Sequence, residues 1–164
     1  MRLCHPDAGP WEANAVGWLV KTSAAAKKKN RDHLWVLERA APEPDVRYVV
    51  VAAFPDAWVL RSDDRGARWK ELLHVTDPAI VEGNLSLVKM RTFCGRPELF
   101  IGAYRKLYFS PDRGETKKVV KDVGPPTTAD GEQPAFSELR GSAGSPRTVY
   151  AEVMDLREFE ATAD

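Results

Sequence analysis

Short apolar runs separated by clusters of Gly, Pro, Asp and Ser occupy most of the chain. The strongest strand signal is residues 46–54, rich in β-branched side chains that fit a pleated surface. Pro55-Asp56 turns this run back into residues 57–62, and residues 68–73 follow as a further strand. Residues 34–37 precede it, set off by the two prolines of Ala41-Pro42-Glu43-Pro44-Asp45. These four runs predict an antiparallel meander. The same order returns in residues 85–90, 98–104, 106–109 and 116–123. A loop by composition covers 124–131, and a third round begins with 135–139, 147–153 and 156–161. Gly17-Trp18-Leu19-Val20-Lys21-Thr22 also reads as a short strand, similar to the run at 57–62. The basic run Lys27-Lys28-Lys29-Asn30-Arg31 after it reads as a solvated loop.

The second runs of each round support a repeat. Val50-Val51-Ala52-Ala53-Phe54, Phe100-Ile101-Gly102-Ala103-Tyr104 and Val149-Tyr150-Ala151-Glu152-Val153 each place Ala or Gly third. A small residue there lets neighbouring sheets approach closely, because interiors pack near crystal density. A period near fifty residues with four strands per unit predicts an all-β chain: a β-propeller segment of four-stranded antiparallel blades. The expected units are a remnant and basic loop over 1–32, complete blades over 33–75 and 84–123, and a partial blade over 134–164.

Between the third and fourth runs lies Ser62-Asp63-Asp64-Arg65-Gly66-Ala67-Arg68-Trp69, and a second copy, Ser110-Pro111-Asp112-Arg113-Gly114-Glu115-Thr116, begins 48 residues later. Ser and Asp side chains bond back to nearby N–H groups, and Gly adopts backbone conformations that a Cβ makes costly. Trp69 can fold its ring over the apolar side of its sheet; Lys117 stands at that place in the second copy, so the ring anchor is missing there. Thr162-Ala163-Asp164 reproduces the Ser-x-Asp opening once more.

These octapeptides resemble the Asp-box, or bacterial neuraminidase repeat, of form Ser/Thr-x-Asp-x-Gly-x-Thr/x-Trp. The resemblance implies that Ser62, Asp64, Gly66, Trp69, Ser110, Asp112, Gly114, Thr162 and Asp164 form turns on the outer rim of propeller blades. Their role would be structural rather than catalytic. Propellers close with at least four blades, so the chain reads as a piece of a longer protein, an open stack, or one protomer of a ring closed by self-association through open blade edges.

Composition removes several classes. Lys+Arg and Asp+Glu are both 24, so no broad basic field favours nucleic acid. No apolar stretch has the length of a membrane span, and the N-terminal residues lack a signal-peptide core, which reads as cytoplasmic as written. Cys4 and Cys94 lack metal-like spacing and read as idle or buried thiols. His5, His33 and His74 show no ligand spacing, and no cofactor motif or metal site is expected.

Sialidases of the superfamily use an arginine cluster, a Tyr–Glu pair and an aspartate. Arg47, Tyr104, Asp155 and Glu158 are the right residue types, but the Arg-Ile-Pro motif of many sialidases is absent. Arg105-Lys106 beside Tyr104 and Tyr108 reads as a solvated hairpin turn. The five tryptophans are sugar-stacking candidates or, more simply, packing groups; Trp11 alone lies outside any clear strand. The reading is a non-catalytic scaffold that binds a protein, peptide or glycan, as the resemblance to sortilin-type and photosystem II assembly-factor propellers implies. The alternatives are part of a sialidase-like or xyloglucanase-like glycoside hydrolase, and a lectin closed by oligomerisation.

Overall fold

The computed structural model describes residues 9–29, 33–76, 88–123, 135–141 and 148–154. They fall into two compact units: one holds the described residues up to 76 with 92–96, the other holds 88–91 and those from 97 onward. The described chain is mostly antiparallel β structure.

In the first unit, β1 (Trp35–Ala40), β2 (Arg47–Ala53), β3 (Asp56–Ser62) and β4 (Lys70–Thr76) form one sheet in meander order. Strand β2 pairs with β3 from Arg47↔Ser62 to Ala53↔Asp56, so Phe54-Pro55 is a two-residue connection. Every residue of β3 is buried. Side chains alternate between faces along a strand, so both faces of this sheet are covered. Tyr48, Val50, Ala52, Ala57 and Val59 lie on one face; Val49, Val51, Trp58 and Leu60 lie on the other.

The second face is covered by a helix, which corrects the strand expected at 17–22. Helix α1 (Trp11–Thr22) is followed by the short α2 (Ala24–Lys28). Its buried residues Trp11, Ala15, Val16 and Leu19 recur at helical spacing and pack against Val49, Val51, Trp58 and Leu60. The acidic Glu12 lies in the first turn and Lys21 in the last, complementing the helix dipole. Ser23 ends α1, and its hydroxyl accepts from the Ala26 N–H at 3.3 Å, so one residue closes one helix and caps the next. Lys27 and Lys28 therefore belong to a helix, and Lys29 reaches the Phe54 carbonyl at 2.5 Å.

In the second unit, β5 (Val88–Thr92), β6 (Leu99–Ala103), β7 (Lys106–Ser110) and β8 (Lys118–Asp122) repeat the four-stranded order. Pairing runs from Leu99↔Ser110 to Ala103↔Lys106, leaving Tyr104-Arg105 as the two-residue connection. Tyr104 takes φ 54°, the positive value that tight hairpins favour. The paired strands are five residues here against seven in β2 and β3. Shortening each by two residues keeps every side chain on its face, because the strand period is two.

A further antiparallel pair, β9 (Ala135–Gly141) and β10 (Val149–Met154), belongs to the same unit. The Phe136 N–H donates to the Tyr104 carbonyl at 2.7 Å. Gly102 lies against β9: a Cβ there would sit 3.2 Å from that of Phe136. Small residues thus serve close packing at Gly102, while Ala52 is fully buried in the first sheet. The third segment differs. Ala151 is exposed and Tyr150 is 65 % exposed, because β10 has only β9 beside it among the described strands. The strand expected at 156–161 lies outside the described residues.

Helix α1 also seats on the β3–β4 turn. A Cβ at Gly66 would meet the Trp11 Cβ at 2.3 Å, and Gly66 has φ 94°. Both steric contact and backbone conformation oppose a side chain there. Gly66→Ala is expected to lower unfolding stability by about 2–4 kcal/mol, read as a lower urea midpoint. An unchanged midpoint would mean that α1 does not rest on this turn.

Candidate functional site

The two Ser-x-Asp-x-Gly segments are the densest polar clusters among the described residues, and they are built alike. The Ser62 hydroxyl accepts from the N–H groups of Asp64 at 3.2 Å and Gly66 at 2.8 Å, and donates to Asp64 Oδ1 at 2.8 Å. Ser110 repeats this with Asp112 N–H at 3.3 Å, Gly114 N–H at 2.7 Å and Asp112 Oδ1 at 2.9 Å. Both serines are 1 % exposed, so an unfilled N–H or hydroxyl there would go unsolvated. Arg65 and Arg113 share φ 59°, followed by Gly66 at 94° and Gly114 at 90°. The Arg65 N–H donates to the Asp45 carbonyl at 2.9 Å, and the Arg113 N–H to that of Pro97 at 2.8 Å. Each turn is thereby tied to the residues that lead into the second strand of its sheet.

The carboxylates hold the exit of each turn. Asp64 accepts from the Arg68 N–H at 2.8 Å and from Arg68 Nε at 2.6 Å. Asp112 accepts from the Thr116 N–H at 2.8 Å and the Thr116 hydroxyl at 2.6 Å. Trp69 is buried, its Nε1–H donates to the Gly66 carbonyl at 3.0 Å, and its ring stacks on Trp11 with centroids 6.0 Å apart. In the second turn the lysine supplies the missing donor: Lys117 Nζ reaches the equivalent carbonyl, that of Gly114, at 2.7 Å. The ring is absent but the hydrogen bond is kept. Thr162 and Asp164, the third opening, lie outside the described residues.

A hollow of about 230 Å³ at the first turn is lined by Arg61, Asp63, Asp64, Arg68, Trp69 and Lys70. Two ion pairs lie within it: Arg61, 5 % exposed, bonds Asp63 at 2.9 Å, and Arg68 bonds Asp64 at 2.6 Å.

Sequence reading missed one cluster. Asp56, at the start of β3, is buried and faces β4, where it accepts from the Thr76 hydroxyl at 2.6 Å and meets His74 Nε2 at 2.8 Å. The His74 ring stacks on the fully buried Trp58, with centroids 5.0 Å apart. The register that brings them together, Asp56↔Thr76 and Trp58↔His74, follows from pairing β3 with β4. A nucleophile–histidine–acid relay uses both ring nitrogens, one for the acid and one for the hydroxyl. Here Asp56 and Thr76 both approach Nε2, and the Thr76 proton goes to Asp56. The cluster fastens β4 to β3 and is not a relay.

The sialidase-type residues are not assembled among the described residues. The Arg47 guanidinium donates to the carbonyls of Glu43, Pro44 and Val46 at 3.2, 3.1 and 2.9 Å. Tyr104 is 2 % exposed, and Asp155 and Glu158 lie outside the described residues. Trp58, a sugar-stacking candidate, is fully buried, and Trp11 belongs to the core. Arg105 lies in the β6–β7 turn, where its carbonyl accepts from Val123 at 3.0 Å. Cys94 is disulfide-bonded, correcting the idle thiol expected there, and Cys4 lies outside the described residues. A cysteine finds a partner through Cα separation and side-chain direction in the folded chain, which spacing does not show. Among the described residues no group of three or more His, Cys, Asp or Glu is placed to hold a metal ion. No described helix is long and apolar enough to cross a membrane.

Comparison with known proteins gives no match to a family model, to a curated protein or to a solved structure.

The hydrogen bonds predict a pH dependence. The Arg68 side chain, then its N–H, then the Ser62 hydroxyl hold the Asp64 carboxyl down to about 2. The Thr116 hydroxyl and N–H lower Asp112 in the same way. An unfolded aspartate titrates near 3.9. A depressed folded value therefore contributes stability above about pH 4 that is lost as pH falls toward 2. Thermal midpoints should fall across that window, and the fall should be shallower in the double variant Asp64→Asn, Asp112→Asn. An equal slope would place the acid sensitivity elsewhere.

The Lys117 bond has its own test. Lys117→Ala should cost about 0.5–1.5 kcal/mol, whereas Lys117→Trp should recover the loss by restoring an N–H donor. Equal urea midpoints for all three proteins would show that the bond to Gly114 contributes nothing.

Proposed function

We propose that the chain is a binding scaffold of the Asp-box β-propeller kind, with no catalytic centre in its turns. The observation that carries this reading is the internal use of the polar side chains within each turn. Ser62, Asp64, Ser110 and Asp112 spend their oxygens on neighbouring N–H and O–H groups and leave none aimed at a ligand. The near-identity of two turns 48 residues apart, within two four-stranded meanders, supports the propeller-blade reading. A fold alone hosts many activities, so the reading of function rests on how these side chains are used.

The glycoside-hydrolase reading needs paired acids at a set separation around a scissile bond, and the turn carboxylates do not supply them. A lectin using Trp58 is disfavoured by that ring's burial. The disulfide at Cys94 favours an oxidising compartment over the cytoplasm expected from the N-terminal residues.

A panel of fluorogenic glycosides, sialosides included, tests the scaffold reading. No turnover above buffer is expected. Turnover abolished by substituting an Asp or Glu outside the two turns would overturn it.

A further inference from the structure

Strand β8 is the outer strand of the second sheet, paired with β7 alone among the described strands. All five of its residues are exposed, including Val119 at 48 % and Val120 at 44 %. The register of β8 against β7 shifts at Val120, and on either side of that bulge the N–H and C=O groups that point away from the sheet can pair with another extended chain. Against one end of the strand lies a groove of about 480 Å³ lined by Phe100, Phe109, Pro111 and Val120, with Glu98 and Lys118 at its polar margin. That size falls in the range of ligand-binding clefts, about 300–1,000 Å³. The Phe100 and Phe109 rings meet at 4.8 Å with a 47° tilt, and both are only half-buried. Lys118 Nζ stands 5.8 Å from the Phe109 ring centre.

We propose that the outer edge of β8, with the Phe100–Phe109 groove beside it, is a docking site for an extended acidic peptide segment of a partner protein. Main-chain pairing along the edge would supply the common affinity, and an apolar side chain entering the groove would supply specificity. Charge selects the occupant. The chain as a whole is neutral, but this edge and its groove carry Lys117, Lys118 and Lys121 against Asp122 and Glu98. A second copy of the chain would bring the same positive excess to the edge, and lysines on edge strands disfavour pairing with themselves. An acidic strand neutralises them, and its carboxylates can reach Lys118 beside the groove. The proposal rests on the scaffold reading and names the partner class for it.

The probe is the labelled peptide acetyl-EEDFEVDE-amide, with acetyl-KKRFKVRK-amide as the charge-reversed control and a version of the acidic peptide N-methylated at alternate amides. Fluorescence anisotropy at low ionic strength should give saturable binding of the acidic peptide with Kd below about 1 mM. Binding should weaken at least about tenfold in the basic control, in the N-methylated peptide and in the variant Lys118→Glu, Lys121→Glu. Both substituted lysines are exposed, so that variant should keep the parent thermal midpoint; if it does not, Val120→Glu, also at an exposed position, takes its place and should weaken binding equally. Absence of saturable binding, or indifference to N-methylation or to the β8 substitutions, overturns the proposal. So does a concentration-dependent dimer in sedimentation that the β8 substitutions dissolve, which would make a second copy the occupant. These failures leave the glycoside panel unaffected, so the docking site and the scaffold reading fail separately.

Discussion

One buried hydroxyl per turn carries the local architecture. Between β3 and β4 the backbone passes through Arg65 and Gly66 at positive φ, and the N–H groups of the turn bond to the Asp45 carbonyl and to the Ser62 hydroxyl. Ser62 Oγ takes two of those groups and passes its own proton to Asp64, which then holds the exit through Arg68. Because the serine is out of water, losing it would strand several polar groups at once, each at the cost of desolvation. Ser110 does the same between β7 and β8. The link from each turn to Asp45 or Pro97 fixes the turn against its own sheet, so strand register and turn geometry constrain each other.

That constraint decides what can pack nearby. Gly66 is bare because Trp11 occupies the space a side chain would need, and Trp69 is held flat by its bond to the same glycine's carbonyl. Helix α1 can therefore lie across the sheet with Trp11 on the turn and Leu19 over the strands. In the second unit the small residue sits elsewhere, at Gly102, where β9 presses its Phe136 onto the sheet. Among the described residues the edge of β8 is open, as is the groove where Phe100 and Phe109 are half-covered.

Several charged groups of both units, buried or partly so, have partners, as burial demands. Asp56 has Thr76 and His74, Arg61 has Asp63, and the turn aspartates have Arg68 and Thr116. Such pairing satisfies these groups within the fold. The exposed edge of β8 offers backbone groups, lysines and two valines.

The strands and both turns were legible in the sequence, because each signal is local. β-Branched runs such as 46–54, a proline or glycine at each corner, and Ser-x-Asp at the tight connections depend only on near neighbours. Residues 17–22 misled because a short apolar run fits strand and helix equally, and only the wider spacing from Trp11 to Leu19 carries the helical period. The fastening of Asp56 to His74 and Thr76, and the bond at Cys94, join residues that only strand pairing and tertiary geometry bring within reach. Lys117 shows the division at one residue: the chain dictated that the tryptophan was missing, and the folded turn decided that an ammonium group would take over its hydrogen bond. Local chemistry is written in order along the chain, whereas contacts between distant residues exist only once the strands have chosen their partners.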